Sequence, residues 1–346
     1  MGRDATTTDR LTVTKEWGGW WTQVKLDILS KYLEAFNRAS KTAGGTVYLD
    51  LFAGKLVNTR PDTGEAYAGS SARAIEALPP FSRLVFWELE PGASKLRRDV
   101  EAAYLSDSRY IVVPGDCNAT LDRGLHSVDQ YRWAPTFAFI DPKGLDFSWH
   151  TLERLSKWRR GKTKVEMWIL LPEPALERVL GLKGVLGRRT AQILTRLYGC
   201  DDWVAIHQLR QAGELSAEET RAEYVNLLRW RLQQALGYAK THPLALGNVN
   251  AAPMYTMIFA TDHPVGSKIM HDVYDHAYIY DIPALRSRAL AHRQQGRDHE
   301  SGRLRLFDIP PTVISAQHED LEPWDPPQLA SERATFDDEE DASGDP

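Results

Sequence analysis

The chain contains few cysteines. Only two occur among its 346 residues, Cys117 and Cys200, and they are far apart and without a C-x-x-C spacing. Disulfide-stabilised secreted folds and thiolate zinc sites both need more cysteines at close spacing. The sequence therefore argues against a disulfide framework and against a zinc site made of cysteines.

Long hydrophobic runs are also missing. No apolar stretch reaches the roughly 18 residues of a membrane-spanning helix. The first residues, MGRDATTTDRLTVTKEWGG, lack the apolar core and the small-residue cleavage site of a secretory signal. We therefore expect a cytoplasmic protein without a membrane partner, and the 42% of hydrophobic residues predicts a sizeable folded core.

Negative charge is concentrated at one end of the chain. The net charge is −5, but residues 317–346 carry eleven acids and one base, which leaves residues 1–316 with a net charge of +5. Such a Pro-rich, non-periodic acidic tail is typical of disorder. It could serve solubility, or it could fold back on a basic patch and compete with an anionic partner.

Strand-like and helix-like segments alternate over the first half of the chain, which favours an α/β fold with a mostly parallel sheet. The same pattern divides the chain into successive parts. We predict a flexible leader at 1–18, the N-terminal part of the α/β domain at 19–172 and a charged helical insert at 173–236. The last two strands and a helix would follow at 237–280, then a basic extension at 281–316 and the acidic, disordered tail at 317–346.

Acids and glycines follow the predicted strands. In open α/β sheets, ligands bind outside the carboxyl ends of the strands. One such acid alone is often only a helix N-cap, but the ordered set favours a nucleotide-type site, with glycine allowing close approach of the backbone and an acid accepting from ribose hydroxyls. In chain order the strand ends read LDLFAG (Asp50, Gly54), FWELE (Glu88, Glu90), GDCN (Asp116, Cys117, Asn118), FIDPKG (Asp141, Lys143) and PEP (Glu173).

These motifs, in this order, resemble the class I S-adenosylmethionine-dependent methyltransferases. More narrowly, with Trp21-Thr22 and Lys25 ahead of YLDLFAG and with the late segment MYTMIFATDHPVGSKIM, residues 20–276 resemble the bacterial three-Cys-motif partner family (TcmP). The resemblance implies a Rossmann-like fold whose sheet ends in an antiparallel strand pair. It also implies S-adenosylmethionine as cofactor, methyl transfer as the activity, and a radical-SAM-like three-Cys-motif protein as partner.

The resemblance also implies site roles. Asp50 and Gly54 would lie beside the methionyl part of the cofactor, Glu88 would hold the ribose with Glu90 as the alternative, and Asp116 would accept from the adenine with Cys117 and Asn118 nearby. Asp141 would face the transferred methyl group. Lys143 offers a cation that suits a phosphate or carboxylate substrate, although DPKG could also be only a tight turn.

Two departures from the methyltransferase pattern keep alternatives open. Lys55 and Leu56 stand where many members have a second glycine, which predicts a narrower cleft, and Gly144 stands where amino-methylating enzymes have a stacking aromatic. The alternatives are a non-catalytic partner of the radical-SAM-like protein and a metal-dependent nucleic-acid-processing enzyme. Clusters of Lys and Arg, for example SKWRRGKTK at 156–164, are consistent with a nucleic acid or another anionic substrate or with a solvated surface.

Overall fold

The computed structural model describes residues 18–60, 64–173, 175–176, 188–247, 253–284, 286–287 and 321–328. The predicted leader, apart from its last residue, and most of the basic extension at 281–316 lie outside these ranges. Within them, one central sheet carries helices on both faces, so the predicted α/β class with a mostly parallel sheet is confirmed.

Seven strands form the central sheet, in the order β5-β4-β1-β6-β7-β9-β8, and a short hairpin pairs β2 with β3. All neighbours from β5 to β7 are parallel, whereas β9 runs antiparallel to both β7 and β8. The strands are Val47–Asp50 (β1), Val57–Thr59 (β2), Ala66–Ala68 (β3), Arg83–Glu88 (β4), Tyr110–Pro114 (β5), Thr136–Ile140 (β6), Glu166–Leu171 (β7), Lys240–Gly247 (β8) and Pro253–Thr261 (β9).

The helices connect these strands and cover both faces of the sheet. They are Gly18–Ala39 (α1), Ser70–Glu76 (α2), Gly92–Ala103 (α3), Cys117–Ser127 (α4), Trp149–Ser156 (α5), Arg188–Tyr198 (α6), Trp203–Ala212 (α7), Ala217–Gln234 (α8) and Pro264–His276 (α9). Several helices begin where the sequence supplies a cap: Ser148 caps α5, and Ser216 with Glu219 forms a capping box at α8.

Two hydrophobic cores lie on opposite faces of the sheet, which explains why the strands read as continuous apolar runs rather than as alternating ones. Val47 and Leu49 of β1 pack with α4 to α8, whereas Tyr48 packs with α1, α2, α3 and α9. Every residue of β6 and β7 is buried. The central strands are therefore sandwiched between two helical layers.

The region predicted as a helical insert is part of this architecture. Helices α6, α7 and α8 connect β7 to β8 and bury Leu197, Trp203, Ile206 and Leu228 in the same core as the strands. They therefore act as a long crossover connection that covers one face of the sheet.

Two segments differ from the predictions. Between β1 and α2, where the sequence predicts no strand, the residues of β2 and β3 pair as a hairpin, and Arg60 N–H donates to Glu65 O at 2.9 Å. Residues 321–328, in the tail predicted to be disordered, instead lie against α8, where the Trp324 backbone hydrogen-bonds to the buried side chain of Asn226. The net negative charge predicts disorder, but main-chain contacts of Leu321 and Trp324 place this segment against α8.

None of the helices in the described ranges is both long enough and apolar enough to cross a bilayer.

Candidate functional site

The predicted site residues follow neighbouring strands at one edge of the sheet. Strand β1 is hydrogen-bonded to β4 on one side and to β6 on the other, so the chain order reverses between β1 and β6. Such a reversal opens a crevice at the carboxyl ends of the strands, because the connections on its two sides leave in opposite directions. The loops after β1, β4, β5 and β6 therefore surround one crevice.

Gly54 and Glu88 are in direct contact at this edge. The Gly54 main-chain N–H donates to Glu88 Oε2 at 2.7 Å, and Ala53 N–H donates to the Trp87 carbonyl at 2.9 Å. Gly54 has a φ of +64°, a conformation that favours glycine. In the described part of the chain no donor contacts Glu88 Oε1. The glycine turn thus orients one carboxylate oxygen and leaves the other available.

Glu90, two residues further on, has a different role. Its carboxylate accepts from Ser94 N–H at 3.2 Å and from the Ser94 hydroxyl at 3.0 Å, and its side chain is exposed. These contacts cap the first turn of α3, where a carboxylate is favoured by the free N–H groups. The structure therefore separates the two acids of FWELE, with Glu88 at the β1 loop and Glu90 on the helix start.

The GDCN segment after β5 lies next to Glu88, since Gly115 N–H donates to the Glu88 carbonyl at 2.9 Å. Asp116 is exposed and caps α4 by accepting from Asn118 N–H at 2.9 Å. Asn118 ties this loop to the next one: its Nδ2 donates to Asp146 O at 2.7 Å and its Oδ1 accepts from Ser148 N–H at 2.9 Å.

Cys117 points away from the crevice. It is 3% exposed and packs in the core with the strands, and burial raises the pKa of its thiol to about 12. A buried, protonated thiol is a packing group rather than a nucleophile. Only the backbone of Cys117 can therefore contribute to a ligand site.

Asp50 is a fully buried acid at the end of β1. Its Oδ2 accepts from the Tyr48 hydroxyl at 3.1 Å and its Oδ1 from Phe52 N–H at 3.3 Å. Burial raises the pKa of Asp50 to about 7; hydrogen bonds from Ser70, Tyr48 and Phe52 partly offset the burial, and the charge of Asp141 adds to it. Asp50 therefore titrates near neutral pH, which is unusual for a carboxyl group.

Asp141 forms an ion pair with a lysine from the first helix. Lys25 Nζ lies 2.5 Å from Asp141 Oδ2, and the two side chains are 6% and 22% exposed. The same ammonium group lies 5.5 Å from the centre of the Tyr255 ring on β9. Lys143, in contrast, is exposed. The negative charge of Asp141, after β6, is thus already compensated by the ammonium group of Lys25.

The two residues expected to narrow the cleft do not point the same way. Leu56 is 4% exposed and packs in the core with α1 and α2, whereas Lys55 is exposed. The Gly69 N–H donates to Leu56 O at 2.8 Å, and a Cβ on Gly69 would lie 2.1 Å from Lys55 O. The segment therefore turns sharply after Gly54, and the bulk of Leu56 does not enter the crevice.

Sequence reasoning missed several members of the site. In the sequence, Lys25 contributes only to the family resemblance, and Tyr48 and Tyr255 lie in apolar runs that indicate strands. The available signal was a lysine inside the apolar stripe of α1, between Val24 and Ile28. Nothing in the local sequence indicated that this lysine would reach a strand end 116 positions away.

Glu173, at the end of β7, is also buried. Its Oε1 accepts from the Thr256 hydroxyl at 2.7 Å, and its Oε2 lies 3.7 Å from Arg221 Nε. It therefore joins α8 to β9.

The basic cluster at 156–164 lies at the opposite edge of the sheet, before β7. Lys157 pairs with Glu153 at 2.6 Å and Lys164 with Asp262 at 3.0 Å, while Arg159 donates to the main-chain oxygens of Thr163 and Trp133. These contacts are intramolecular, so this cluster offers less free positive charge than its sequence suggests.

Among the described residues, no group of three or more His, Cys, Asp or Glu side chains is arranged to hold a metal ion.

Comparison with known proteins gives little further information. A scan against protein-family models and a search of curated proteins both found no match. Among solved structures, the chain is similar to the Legionella pneumophila protein LPL1258, of the family model DUF519, with 14% sequence identity and a TM-score of 0.38 over 70% of this chain and 88% of that one. A likeness this weak carries no argument about fold or function.

Proposed function

We propose that the protein is a class I-type S-adenosylmethionine-dependent methyltransferase related to the three-Cys-motif partner family. One observation carries the proposal: the Gly54 N–H donates to the Glu88 carboxylate. A glycine turn and a strand-end acid are thereby joined at the reversal point of the sheet, in the positions where the dinucleotide-binding fold contacts its cofactor.

The sheet order supports this fold assignment. Its first five parallel strands follow the dinucleotide-binding order, in which the third, second, first, fourth and fifth strands are neighbours. The two last strands form the antiparallel pair that the methyltransferase resemblance predicts.

The cofactor half of the crevice fits the group. Glu88 Oε1 would accept from the ribose hydroxyls, and the Gly54 turn, free of a Cβ and of the Leu56 side chain, would admit the methionyl part. Asp50 is fully buried behind this turn and would not touch the cofactor. Asp116 and the Asn118-stabilised loop would border the adenine. When bound, S-adenosylmethionine supplies an activated methyl group.

The methyl acceptor would bind on the β6 side of the crevice, where the residues would orient the substrate rather than react with it. Asp141 Oδ1 has no donor in the described part of the chain and would accept a hydrogen bond from an amine or hydroxyl of the substrate, which positions it for attack. Lys143, exposed two residues further on, would bind a phosphate or carboxylate of the same molecule. The acceptor class we propose is therefore a polar, anionic molecule.

Calorimetry with S-adenosylmethionine and S-adenosylhomocysteine tests the cofactor half. Glu88→Ala should weaken binding by roughly 10- to 100-fold, as expected for lost hydrogen bonds to a charged group. Glu90→Ala is the matched control, because this acid only caps α3, and it should change the Kd by less than about twofold. Equal loss in both variants would contradict the role of Glu88.

Absence of binding to the intact chain would contradict the proposal as a whole. Co-purification with a radical-SAM-like three-Cys-motif protein would then favour the non-catalytic partner. Metal-dependent nucleic-acid cleavage has less support, because no metal-holding cluster occurs in the described ranges.

A further inference from the structure

The surface of α8 holds a segment that is remote in sequence. Residues 321–328, LEPWDPPQ, contact α8 and the first residue of β8, although about a hundred positions separate the partners along the chain. In the described ranges this segment lies outside every helix and strand, and it contacts the protein as an extended piece of chain.

The main-chain part of this contact depends on Asn226. Its Nδ2 donates to the Trp324 carbonyl at 2.9 Å, and its Oδ1 accepts from the Trp324 N–H at 3.0 Å. The Asn226 side chain is 1% exposed. A carboxamide that satisfies both polar groups of one residue acts like a neighbouring strand, and it holds an extended peptide whatever its side chains are.

Side-chain contacts add sequence preference. The indole N–H of Trp324 donates to both carboxylate oxygens of Glu223, at 3.0 and 3.1 Å. Glu322 pairs with Lys240, and Gln233 Nε2 lies 3.5 Å from its second oxygen. These contacts recognise a tryptophan and an acid two residues before it.

The bound segment is suited to recognition as a short peptide. Three of its eight residues are prolines, at 323, 326 and 327, and Pro326 is buried against the protein. Proline restricts the free peptide, so that little conformational freedom is lost on binding. Arg229, 4% exposed, also donates to the Leu321 carbonyl.

We propose that the α8 surface, defined by Glu223, Asn226, Arg229, Gln233 and Lys240, is a peptide-binding site for an acid-Pro-Trp sequence and that the chain's own residues 321–328 occupy it in cis as a releasable ligand. The site does not depend on the proposed methyltransferase activity. Its occupant in the absence of competition is the tail, because the tail belongs to the same chain and its binding is intramolecular.

The test uses the full-length chain and a fluorescently labelled peptide of sequence LEPWDPPQ. Fluorescence anisotropy measures binding of the peptide. The Trp324→Ala variant removes the indole of the internal ligand, so that the tail competes less well for the site. The apparent affinity of this variant for the added peptide should therefore be at least tenfold higher than that of the wild-type chain. Failure of Trp324→Ala to bind the peptide any better than wild type would overturn the proposal.

Two further variants show whether binding occurs at this site. Adding Glu223→Ala to Trp324→Ala should weaken peptide binding severalfold, whereas adding Glu218→Ala, an exposed acid on the same helix, should leave it unchanged. A peptide in which the tryptophan is replaced by alanine should bind less tightly than the original. If Glu218→Ala and Glu223→Ala act equally, the attraction is not specific to this site and the assignment fails.

Light scattering distinguishes cis from trans occupation. We expect the same mass for wild type and Trp324→Ala at all concentrations. A concentration-dependent dimer of the wild-type chain that Trp324→Ala abolishes would mean that tails exchange between copies, and would overturn the cis assignment.

Discussion

The two halves of the crevice are built differently. On the β1–β4 side, backbone amides and one half-buried carboxylate, Glu88, leave an oxygen available for a ligand. On the β6 side, the Asp141 carboxylate is already paired with Lys25, and the buried Asp50 lies within its electrostatic influence. The carboxylate of the first half keeps one oxygen available for a ligand, whereas the carboxylate of the second half is already paired with a lysine of the protein itself.

This difference indicates how each half would act. Backbone groups and a glycine turn bind a constant ligand, such as a cofactor, with little reorganisation. An approaching substrate has to share the internal ion pair or break it. Binding of the substrate therefore depends on the substrate's own charge. In the function that we propose, Lys25 therefore affects both the binding of the substrate and the stability of the fold.

The largest loss of stability from a single substitution is expected from breaking the ion pair. Lys25→Met should lower the free energy of unfolding by about 2–3 kcal/mol, because it leaves the Asp141 carboxylate without its partner in a largely buried position. Lys31→Met on the same helix is the matched control; its partner is Asp281 at 2.6 Å, with the lysine 41% exposed. That surface pair should contribute below about 1 kcal/mol.

Urea unfolding followed by circular dichroism measures both variants. Combining Lys25→Met with Asp141→Asn should restore part of the lost stability, since the unpaired charge is then removed. Equal destabilisation by Lys25→Met and Lys31→Met would contradict the buried ion pair.

The second prediction concerns the pH dependence caused by Asp50. Its folded-state pKa is raised from 3.8 to about 7, so its contribution to stability is full below pH 4 and is lost as the pH rises through 7. Within this window the free energy of unfolding should fall by about 1 kcal/mol per pH unit from this group.

Asp50→Asn keeps an acceptor for Tyr48 and Phe52 but cannot ionise. As the pH rises from 4 to 7, the Asp50→Asn variant should therefore become steadily more stable relative to the wild-type protein. A difference that stays constant over this range would show that Asp50 is not held neutral.

The smallest effect is expected on the β1–β4 side of the crevice, where we propose that the cofactor binds. A Cβ at Gly92 would lie 2.9 Å from Glu88 Oε1 and 3.0 Å from its Cγ. Gly92→Ala should therefore shift the Glu88 side chain and weaken cofactor binding by about threefold to tenfold, with little loss of stability because alanine favours the helix.

Ser94→Ala is the control for Gly92→Ala, since it removes a partner of Glu90 and leaves Glu88 untouched. Calorimetry should detect normal cofactor affinity in Ser94→Ala. If Gly92→Ala also binds the cofactor normally, the Glu88 side chain is not placed as the ribose contact requires.

Much of the fold could be predicted from the sequence, because strands buried on both faces leave a strong local signal. The apolar runs RLVFWE at 83–88 and TFAFI at 136–140 predict strands, and they match β4 and β6 to the residue. The hairpin β2–β3 was missed because its residues are largely exposed and show no hydrophobic pattern.

The candidate site could be predicted only in outline. The acids after the strands are predicted from their positions, with Glu88 as the ribose residue and Glu90 as the alternative. Only the structure shows that α3 uses Glu90 as a cap, which leaves Glu88 at the β1 loop. The bulk of Leu56 predicted a narrow cleft, yet the turn at Gly54 directs it into the core. Such differences depend on side-chain direction, which neighbouring elements decide.

The sequence by itself determined the parallel strands and the acids and glycines at their ends, since these follow from local hydrophobicity and from chain order. Only the tertiary structure decided that Lys25 pairs with Asp141, that Asp50 is buried beside them, and that residues 321–328 bind α8. The physical reason is that burial and charge pairing depend on residues far apart in the chain, and no local pattern records which distant partner a charged side chain will meet.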